Sequence, residues 1–300
     1  MTIVTGKIGA ARELRERLAS LGIDRFNSVA DLNNFLKSYE TEKKGVPAAV
    51  KSAMDEELHN LETASRVASE RRDKNFLNKV IYHFPAKRRA RNLAKFMASY
   101  ESILTRRCEQ SYRRLAFIKR AVEELNPYIA GAIGENSVEN EIKQLSDQFY
   151  LINDFSLRFD PPIFNKRTKD RIRSIQVDHL VVSRSGIFVL ETKHWSKASL
   201  EKLDLRSPVD QIKRASFALF VFLNGKQSRK LIANHWGVKK ISIRNVIVMT
   251  NAVPRSDFKH VKVLPLNQLN GYLQYFDDIY EASEVEKVFH YLNNVRVRHQ

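Results

Sequence analysis

The spacing of apolar residues changes near the middle of this chain. In the first part, apolar positions recur every three or four residues, which is the period of an amphipathic helix, with Pro47, Pro85 and Pro127 as punctuation. In the second part, short apolar runs rich in Val, Ile and Phe indicate buried strands. The pattern therefore predicts a helical domain over residues 1–130 and an α/β domain over residues 131–300.

Local signals divide the helical domain further. A short helix is predicted over about Ile8 to Leu21, and Ser28 begins a capping box that opens a second helix. Pro47 is expected to start a third helix that reaches about Lys79.

A seam of apolar positions runs from Leu93 to Leu125 in alternating steps of four and three, with one extra step of four at Cys108. It predicts a coiled-coil-like helix of roughly 50 Å, packed in an antiparallel hairpin or small bundle. The helix predicted before it has sparse apolar positions. We therefore expect part of the seam to bind a second copy, giving a homodimer through the helical domain.

The α/β domain has its clearest signal at Ile175 to Trp195, where two apolar runs flank a polar break that Gly186 closes. This pattern is typical of a β-hairpin. A strand is predicted before it at Phe149 to Phe159 and another after it at Ile241 to Thr250. The basic segment from Asp160 to Ser174 is expected to be a loop that contacts substrate or is simply solvated.

Two helices are predicted around this hairpin. Gly131 and Gly134 are expected to form a hinge, after which a helix opens at Glu135. Residues from Ser196 to Arg206 are expected to be irregular, and a capping box at Ser207 then opens a helix with Gln211 on its buried face. The predicted order is helix, three strands, helix, strand.

Three charged residues interrupt the apolar hairpin: Asp178, Glu191 and Lys193. Because side chains alternate along a strand, Glu191 and Lys193 share a face. Buried charges require a partner or a metal, so a structural ion pair is one interpretation. The other is a metal site, since two carboxylates suit Mg²⁺ or Mn²⁺ and a lysine can hold the attacking water in phosphodiester hydrolysis.

The spacing of these three residues resembles that of the PD-(D/E)XK nuclease superfamily. The hairpin is also similar to the core of the nuclease-related domain, NERD, at Gln176, Asp178, His179, Gly186, Phe188, Glu191, Thr192 and Lys193. His194 stands where that family usually has Asn. The resemblance covers about residues 131–251, and it implies an αβββαβ nuclease core preceded by an all-α domain.

The resemblance also implies roles for individual residues. Glu135, Asp178, Glu191 and the backbone carbonyl of Thr192 would hold Mg²⁺ or Mn²⁺, with Lys193 orienting the nucleophile and Gln211 steadying the site. The position of Glu135 beside the apolar stripe of its helix agrees with that role, although a first-turn acid favoured by the helix dipole would look the same. The implied activity is that of a metal-dependent nuclease. The resemblance favours DNA over RNA as the substrate, and the residues themselves exclude neither.

The composition of the chain limits the kinds of binding partner and cellular location that we expect. The chain has 300 residues, a net charge of +17 and a single cysteine, Cys108, so we expect neither a disulfide framework nor a zinc cluster. No apolar run is long enough for a membrane span and no signal peptide is evident, so a cytoplasmic protein without a membrane partner is expected. Basic character favours nucleic acid. The candidate phosphate contacts are Lys87, Arg88, Arg89, Arg91, Lys166, Arg167, Lys169, Arg171, Lys213 and Arg214.

Two other functions remain open. The chain could be a catalytically inactive nucleic-acid-binding or assembly protein that uses a nuclease-like fold, and its basic residues could form a solvated face. Alternatively, the helical domain could be an arm that brings a nuclease to a helicase or sensor protein. Asp178, Glu191 and Lys193 together favour the enzyme, because a binding protein has no need of all three.

Overall fold

A computed structural model describes residues 1–202, 206–225, 240–254 and 258–296. The chain packs as two units, one comprising Met1–Gly22 with Leu125–Gln300 and the other comprising Ile23–Glu124. The division from sequence placed the first 22 residues with the helical part, whereas the structure packs them with the C-terminal part.

The elements of the described chain follow in order. They are β1 (Ile3–Thr5), α1 (Gly9–Ser20), α2 (Val29–Asp73), α3 (Phe76–Ile81), α4 (His83–Ala98), α5 (Tyr100–Glu124), α6 (Asn126–Ile142), β2 (Tyr150–Asn165), β3 (Asp170–Ser183), β4 (Gly186–Lys193), α7 (Lys197–Lys202), α8 (Arg206–Asn224), β5 (Ile243–Met249), β6 (Lys262–Pro265), α9 (Leu269–Gln274) and α10 (Ala282–Val295). In these ranges no helix is both long and apolar enough to cross a membrane.

The helical unit is built on α2, which begins at the predicted capping box of Ser28 and continues for 45 residues. The break expected at Pro47 is wrong, because Pro47 lies inside this helix. A proline in a helix interior costs about 3 kcal/mol. Val46 and Met54 are buried on either side of it, so their packing favours an unbroken helix.

α2 runs antiparallel to α4 and α5, as the predicted helical hairpin requires. In the later half of α2, Glu57 accepts a hydrogen bond at 2.8 Å from Arg107, which lies early in α5. Near the start of α2, the ring of Tyr39 lies under the ammonium group of Lys119, which lies late in α5. Leu115 on α5 is buried in this unit.

The single long helix predicted over the apolar seam is wrong. α4 ends at Ala98 and α5 begins at Tyr100, because the backbone N–H of Ser99 turns back to the carbonyls of Lys95 and Phe96. The seam also loses a member at this break, since Met97 is exposed. The seam therefore belongs to two shorter helices.

The other unit is a three-layer α/β structure around a mixed six-stranded sheet in the order β1-β2-β3-β4-β5-β6. The β2-β3-β4 pairs are antiparallel, and the β1-β2, β4-β5 and β5-β6 pairs are parallel. α6 and α9 cover one face through Val138 and Leu269, and α8 and α10 cover the other through Ile212 and Val288.

The predicted hinge is wrong. Gly131 and Gly134 both lie inside α6, which starts with Pro127 in its first turn. A side chain at Gly134 would place its Cβ 3.1 Å from Cγ2 of Thr192. The glycine thus permits α6 to approach β4 closely, and it does not bend the chain.

The loop predicted from Asp160 to Ser174 is mostly strand. β2 and β3 extend past the sheet as a hairpin arm, in which Ile163 pairs with Ile172 after a register irregularity. Ile172 is fully buried, and this burial explains why the segment is ordered as a ladder. Part of the segment expected to be irregular after the hairpin is also regular, forming α7, while residues 203–205 lie outside the described part.

Candidate active site

Asp178 lies where the β3-β4 ladder ends. The last pair before it joins His179 to Leu190, and beyond that pair Oδ2 of Asp178 accepts the backbone N–H of Thr192 at 2.7 Å. β4 remains paired with β5 through Lys193. The hairpin predicted from sequence therefore places an acidic side chain on one strand against the charged end of the next.

Lys193 and Glu191 form an ion pair at that end of β4. Nζ of Lys193 donates to Oε1 of Glu191 at 2.7 Å, and both side chains are largely shielded from solvent. Burial alone lowers the pKa of Lys193, but the carboxylates of Glu191, Asp178 and Glu135 outweigh it, so the pKa is raised. The lysine therefore remains a charged ammonium.

Glu135 approaches the same region from the middle of α6. Its side chain is only 7% exposed, and its Oε2 accepts the backbone N–H of Ala10 at 3.2 Å. Burial raises the pKa of Glu135 to about 7, with contributions from Asp154 and Glu191 and an opposing one from the backbone N–H groups of Ala10 and Gly9. A carboxyl that titrates near neutrality is frequent at functional sites.

These groups concentrate negative charge. Burial, together with Glu191 and Glu135, raises the pKa of Asp178 well above its usual range, although Lys193 and the N–H of Thr192 oppose the rise. Three carboxyl groups thus share one ammonium. Such an excess of oxygen donors and negative charge fits a hard divalent cation such as Mg²⁺ or Mn²⁺.

Within the described ranges, no three His, Cys, Asp or Glu side chains stand as a ready-made metal cluster. Each of the three carboxyl groups accepts a hydrogen bond from a protein donor, namely Ala10, Thr192 and Lys193. Each of these hydrogen bonds goes to one oxygen of its carboxyl group, and a carboxylate has further lone pairs with which to coordinate a cation.

A second polar network lies behind the cluster. Oδ1 of Asn153 accepts from Nδ1 of the buried His179 at 2.7 Å, because the amide nitrogen of Asn153 donates to Glu139. Burial lowers the pKa of His179 to about 3, so the imidazole is neutral. Its Nε2 atom is buried and has no partner among the described residues. As a neutral imidazole, His179 links β3 to Asn153 of β2 through its Nδ1 atom.

The N-terminal segment joins this site, which the sequence analysis missed. Arg12 of α1 pairs with Asp154 of β2 at 3.0 Å, and Gln176 donates to the same carboxylate at 2.7 Å. A Cβ at Gly9 would lie 3.0 Å from Asp154. The available signal was the pair Asn153-Asp154, which interrupts the apolar run of β2.

Gln211 does not take the position expected of it. It is exposed on α8, whereas Ala215 on the same helix is buried. Gln211 lines a cavity of about 600 Å³ together with Gln176, Arg158 and Arg214. In this cavity Gln211 lies near Gln176 of β3, which is two residues before Asp178, and it does not face the core.

The basic residues of the sheet unit surround the hairpin arm. Lys166, Arg167 and Lys169 are exposed in the turn that joins β2 to β3, and Arg171 is exposed on β3. A second cavity of about 830 Å³ is lined by residues that include Arg167, Lys213 and Arg214. Arg214 is partly engaged, because its Nε donates to Asp170 at 2.6 Å.

The four basic candidates of the helical unit lie on α4. Lys87, Arg88 and Arg91 are exposed, and Arg89 is exposed while donating weakly to the carbonyl of Ala64 at 3.4 Å. All four belong to the unit that comprises Ile23–Glu124.

The fold and the cluster together define a class: an α/β domain that gathers carboxylates and a lysine at the end of a central β-hairpin. Residues 130–250 match the family model of the nuclease-related domain, NERD, which confirms the resemblance seen in the sequence. The match spans all five residues expected at the active site, Glu135, Asp178, Glu191, Lys193 and Gln211. No curated protein and no solved structure matches this chain.

Proposed function

We propose that this protein is a metal-dependent nuclease that hydrolyses nucleic-acid phosphodiester bonds, with DNA as the preferred substrate. The observation that carries the proposal is the meeting of Glu135, Asp178 and Glu191 with Lys193 at the end of the β3-β4 ladder. The cluster lies inside the segment that matches a nuclease-related domain.

The element order supports a PD-(D/E)XK-type core. α6 is followed by the meander of β2, β3 and β4, then by α8, and β5 returns parallel to β4. This order agrees with the αβββαβ arrangement that the resemblance implies, with α7 between β4 and α8 and with β1, β6, α9 and α10 in addition.

The carboxyl groups of Glu135, Asp178 and Glu191, with the backbone carbonyl of Thr192, would hold the cation. When bound, Mg²⁺ or Mn²⁺ supplies a Lewis acid that activates water and neutralises phosphate charge. Thr192 sits at this point because its N–H is already fixed to Asp178.

Lys193 supplies positive charge that stays in place across the neutral pH range, because the neighbouring carboxylates raise its pKa. Its ammonium group can donate to the attacking water and to a phosphate oxygen, and so orients the nucleophile. Glu191 holds the ammonium at 2.7 Å and limits its movement.

α1 contributes by holding Glu135. The backbone N–H of Ala10 binds the Glu135 carboxylate, and Arg12 ties the same helix to Asp154 on β2. The first 22 residues are therefore part of the catalytic unit in this proposal. The exposed residues of the hairpin arm, together with Lys213 and Gln211 of α8, would contact the substrate backbone.

One observation favours the alternative of an inactive binding protein, namely that Lys193 and Glu191 form a shielded ion pair at 2.7 Å, as a purely structural pair would. The experiment that decides is a cleavage assay on plasmid, linear duplex and single-stranded DNA and on RNA, with EDTA, Mg²⁺ or Mn²⁺. Cleavage that requires the metal supports the nuclease. Binding without cleavage in every metal would support the alternative.

A further inference from the structure

The helical unit carries an exposed apolar tip, formed by Phe76, Leu77, Val80, Ile81 and Phe84. The side chains of these five residues are between 63% and 81% exposed. Four of them lie on α3 at positions i, i+1, i+4 and i+5, so they project from one side of the helix.

The tip is an ordered element of the fold. Asn75 caps α3 by accepting the backbone N–H of Asn78 at 2.8 Å, and the cap residue Tyr82 joins α3 directly to α4. Ala86, just after the tip, is buried. The apolar side chains are therefore presented outward by a defined backbone, and contiguous exposed apolar residues of this kind mark interaction sites.

The charge around the tip restricts the chemical class of its binding partner. Residues 71–91 contain eight Lys and Arg residues against a single acidic residue, Asp73, which pairs with Arg72. Two copies of this tip placed face to face would bring the positive charges together, which disfavours self-association. The partner must be both anionic and able to accept bulky apolar side chains.

We propose that this tip docks on an anionic lipid bilayer. Short segments with apolar side chains beside Lys and Arg bind at the membrane interface, where the apolar groups enter the acyl boundary and the cations meet acidic headgroups. Phe76 and Phe84 have aromatic faces, but the other three tip residues, Leu77, Val80 and Ile81, are aliphatic and cannot stack on bases, so lipid accommodates more of the tip than nucleic acid does.

A lipid partner differs from two expectations drawn from the sequence. The sequence predicts no membrane partner on the basis of spanning segments and secretion signals alone, and docking on a bilayer surface needs neither. The basic cluster of Lys87, Arg88, Arg89 and Arg91 was expected to contact phosphates of nucleic acid. Here it meets lipid phosphates and carboxylates, and the nuclease proposal for the sheet unit is unaffected.

The test is co-sedimentation of the full chain with vesicles of phosphatidylcholine alone or of phosphatidylcholine with phosphatidylserine. The full chain should bind the phosphatidylserine vesicles, and salt should weaken that binding. The combined Phe76→Ser, Leu77→Ser, Ile81→Ser and Phe84→Ser variant should lose at least about tenfold in partitioning. Replacing Lys87, Arg88 and Arg91 by Gln should cost up to about a hundredfold, at roughly fivefold for each cation.

Two controls separate docking from other causes. Phe117→Ser removes an exposed aromatic residue of α5 outside the tip, and it should bind vesicles as the wild type does. Circular dichroism should be unchanged in the tip variant, because the replaced side chains are exposed. The single variants Leu77→Ser and Phe84→Ser should give smaller losses of the same kind.

Several results would overturn the proposal. One is failure of the full chain to sediment with acidic vesicles, and another is a tip variant that sediments as well as the wild type. A tip variant that loses DNA binding but keeps vesicle binding would assign the tip to nucleic acid. Light scattering that shows a dimer in the wild type and a monomer in the tip variant would assign it to a second copy.

Discussion

The electrostatic character of Glu135 leads to a prediction about stability. In the absence of divalent cations, Glu135→Gln should stabilise the protein at about pH 8 and change little at about pH 4. Gln keeps a carbonyl oxygen that can accept the N–H of Ala10, so the variant removes the charge and preserves the hydrogen bond.

The sign and size follow from the pKa. Burial and neighbouring carboxylates raise the pKa of Glu135 from 4.5 to about 7 in the folded state. Between these values the folded protein binds more protons than the unfolded chain, so stability falls as pH rises through this window. A difference of roughly 2.5 in pKa corresponds to roughly 3 kcal/mol in the free energy of unfolding. The wild type has lost this amount of stability above about pH 7, whereas the Gln variant, which carries no charge at this position, does not lose it.

Urea unfolding in EDTA at several pH values measures this difference, with Asp277→Asn as the control because Asp277 is an exposed carboxylate in the same unit. The advantage of Glu135→Gln should grow from near zero to about 3 kcal/mol between about pH 4 and 8. Added Mg²⁺ should stabilise the wild type more than the variant. A difference in the free energy of unfolding between the variant and the wild type that does not change with pH would refute the idea that burial destabilises the ionised form of Glu135.

Three other predictions test particular parts of the account. Gly134→Ala should lower the free energy of unfolding in urea by roughly 1–2 kcal/mol, because its Cβ would lie 3.1–3.2 Å from Thr192, His194 and Thr250. Gly271→Ala is the control, since its Cβ would have nothing within 4 Å, and it should raise the free energy of unfolding by up to about 1 kcal/mol. Equal effects of the two substitutions would contradict the close approach of α6 to β4. Replacing Lys166 and Arg167 by Gln should weaken duplex DNA binding on all sequences and flatten the dependence of log K on log salt by about 0.9 for each lost phosphate contact; an unchanged slope would assign the arm to solvent. The homodimer through the helical domain stays a prediction from sequence. The packing of α2 against α4 and α5 covers part of the apolar seam on which that prediction rests. A monomer in light scattering would contradict the prediction.

The sequence predicted the parts of the site that depend on local pattern. The β3-β4 hairpin is encoded by two apolar runs and a glycine-closed turn, so Asp178, Glu191 and Lys193 could be placed at its end before the fold was known. The Ser28 capping box is local as well, and it forms as expected.

The errors come from contacts between distant segments. Pro47 stays helical because packing of the residues beside it outweighs the local preference to break. Gly134 looked like a hinge in sequence, but it is a point of close packing against β4. The hydrogen bond from Ala10 to Glu135 spans 125 positions, so no local pattern shows it.

In the proposed nuclease, Asp178 and Lys193 serve the cleavage reaction rather than folding. The most direct test is to measure duplex DNA cleavage and DNA binding side by side for the wild type, Asp178→Asn and Lys193→Gln in Mg²⁺. Both variants should bind DNA as the wild type does and lose at least about a hundredfold in cleavage rate. Cleavage at the wild-type rate in either variant would contradict this role.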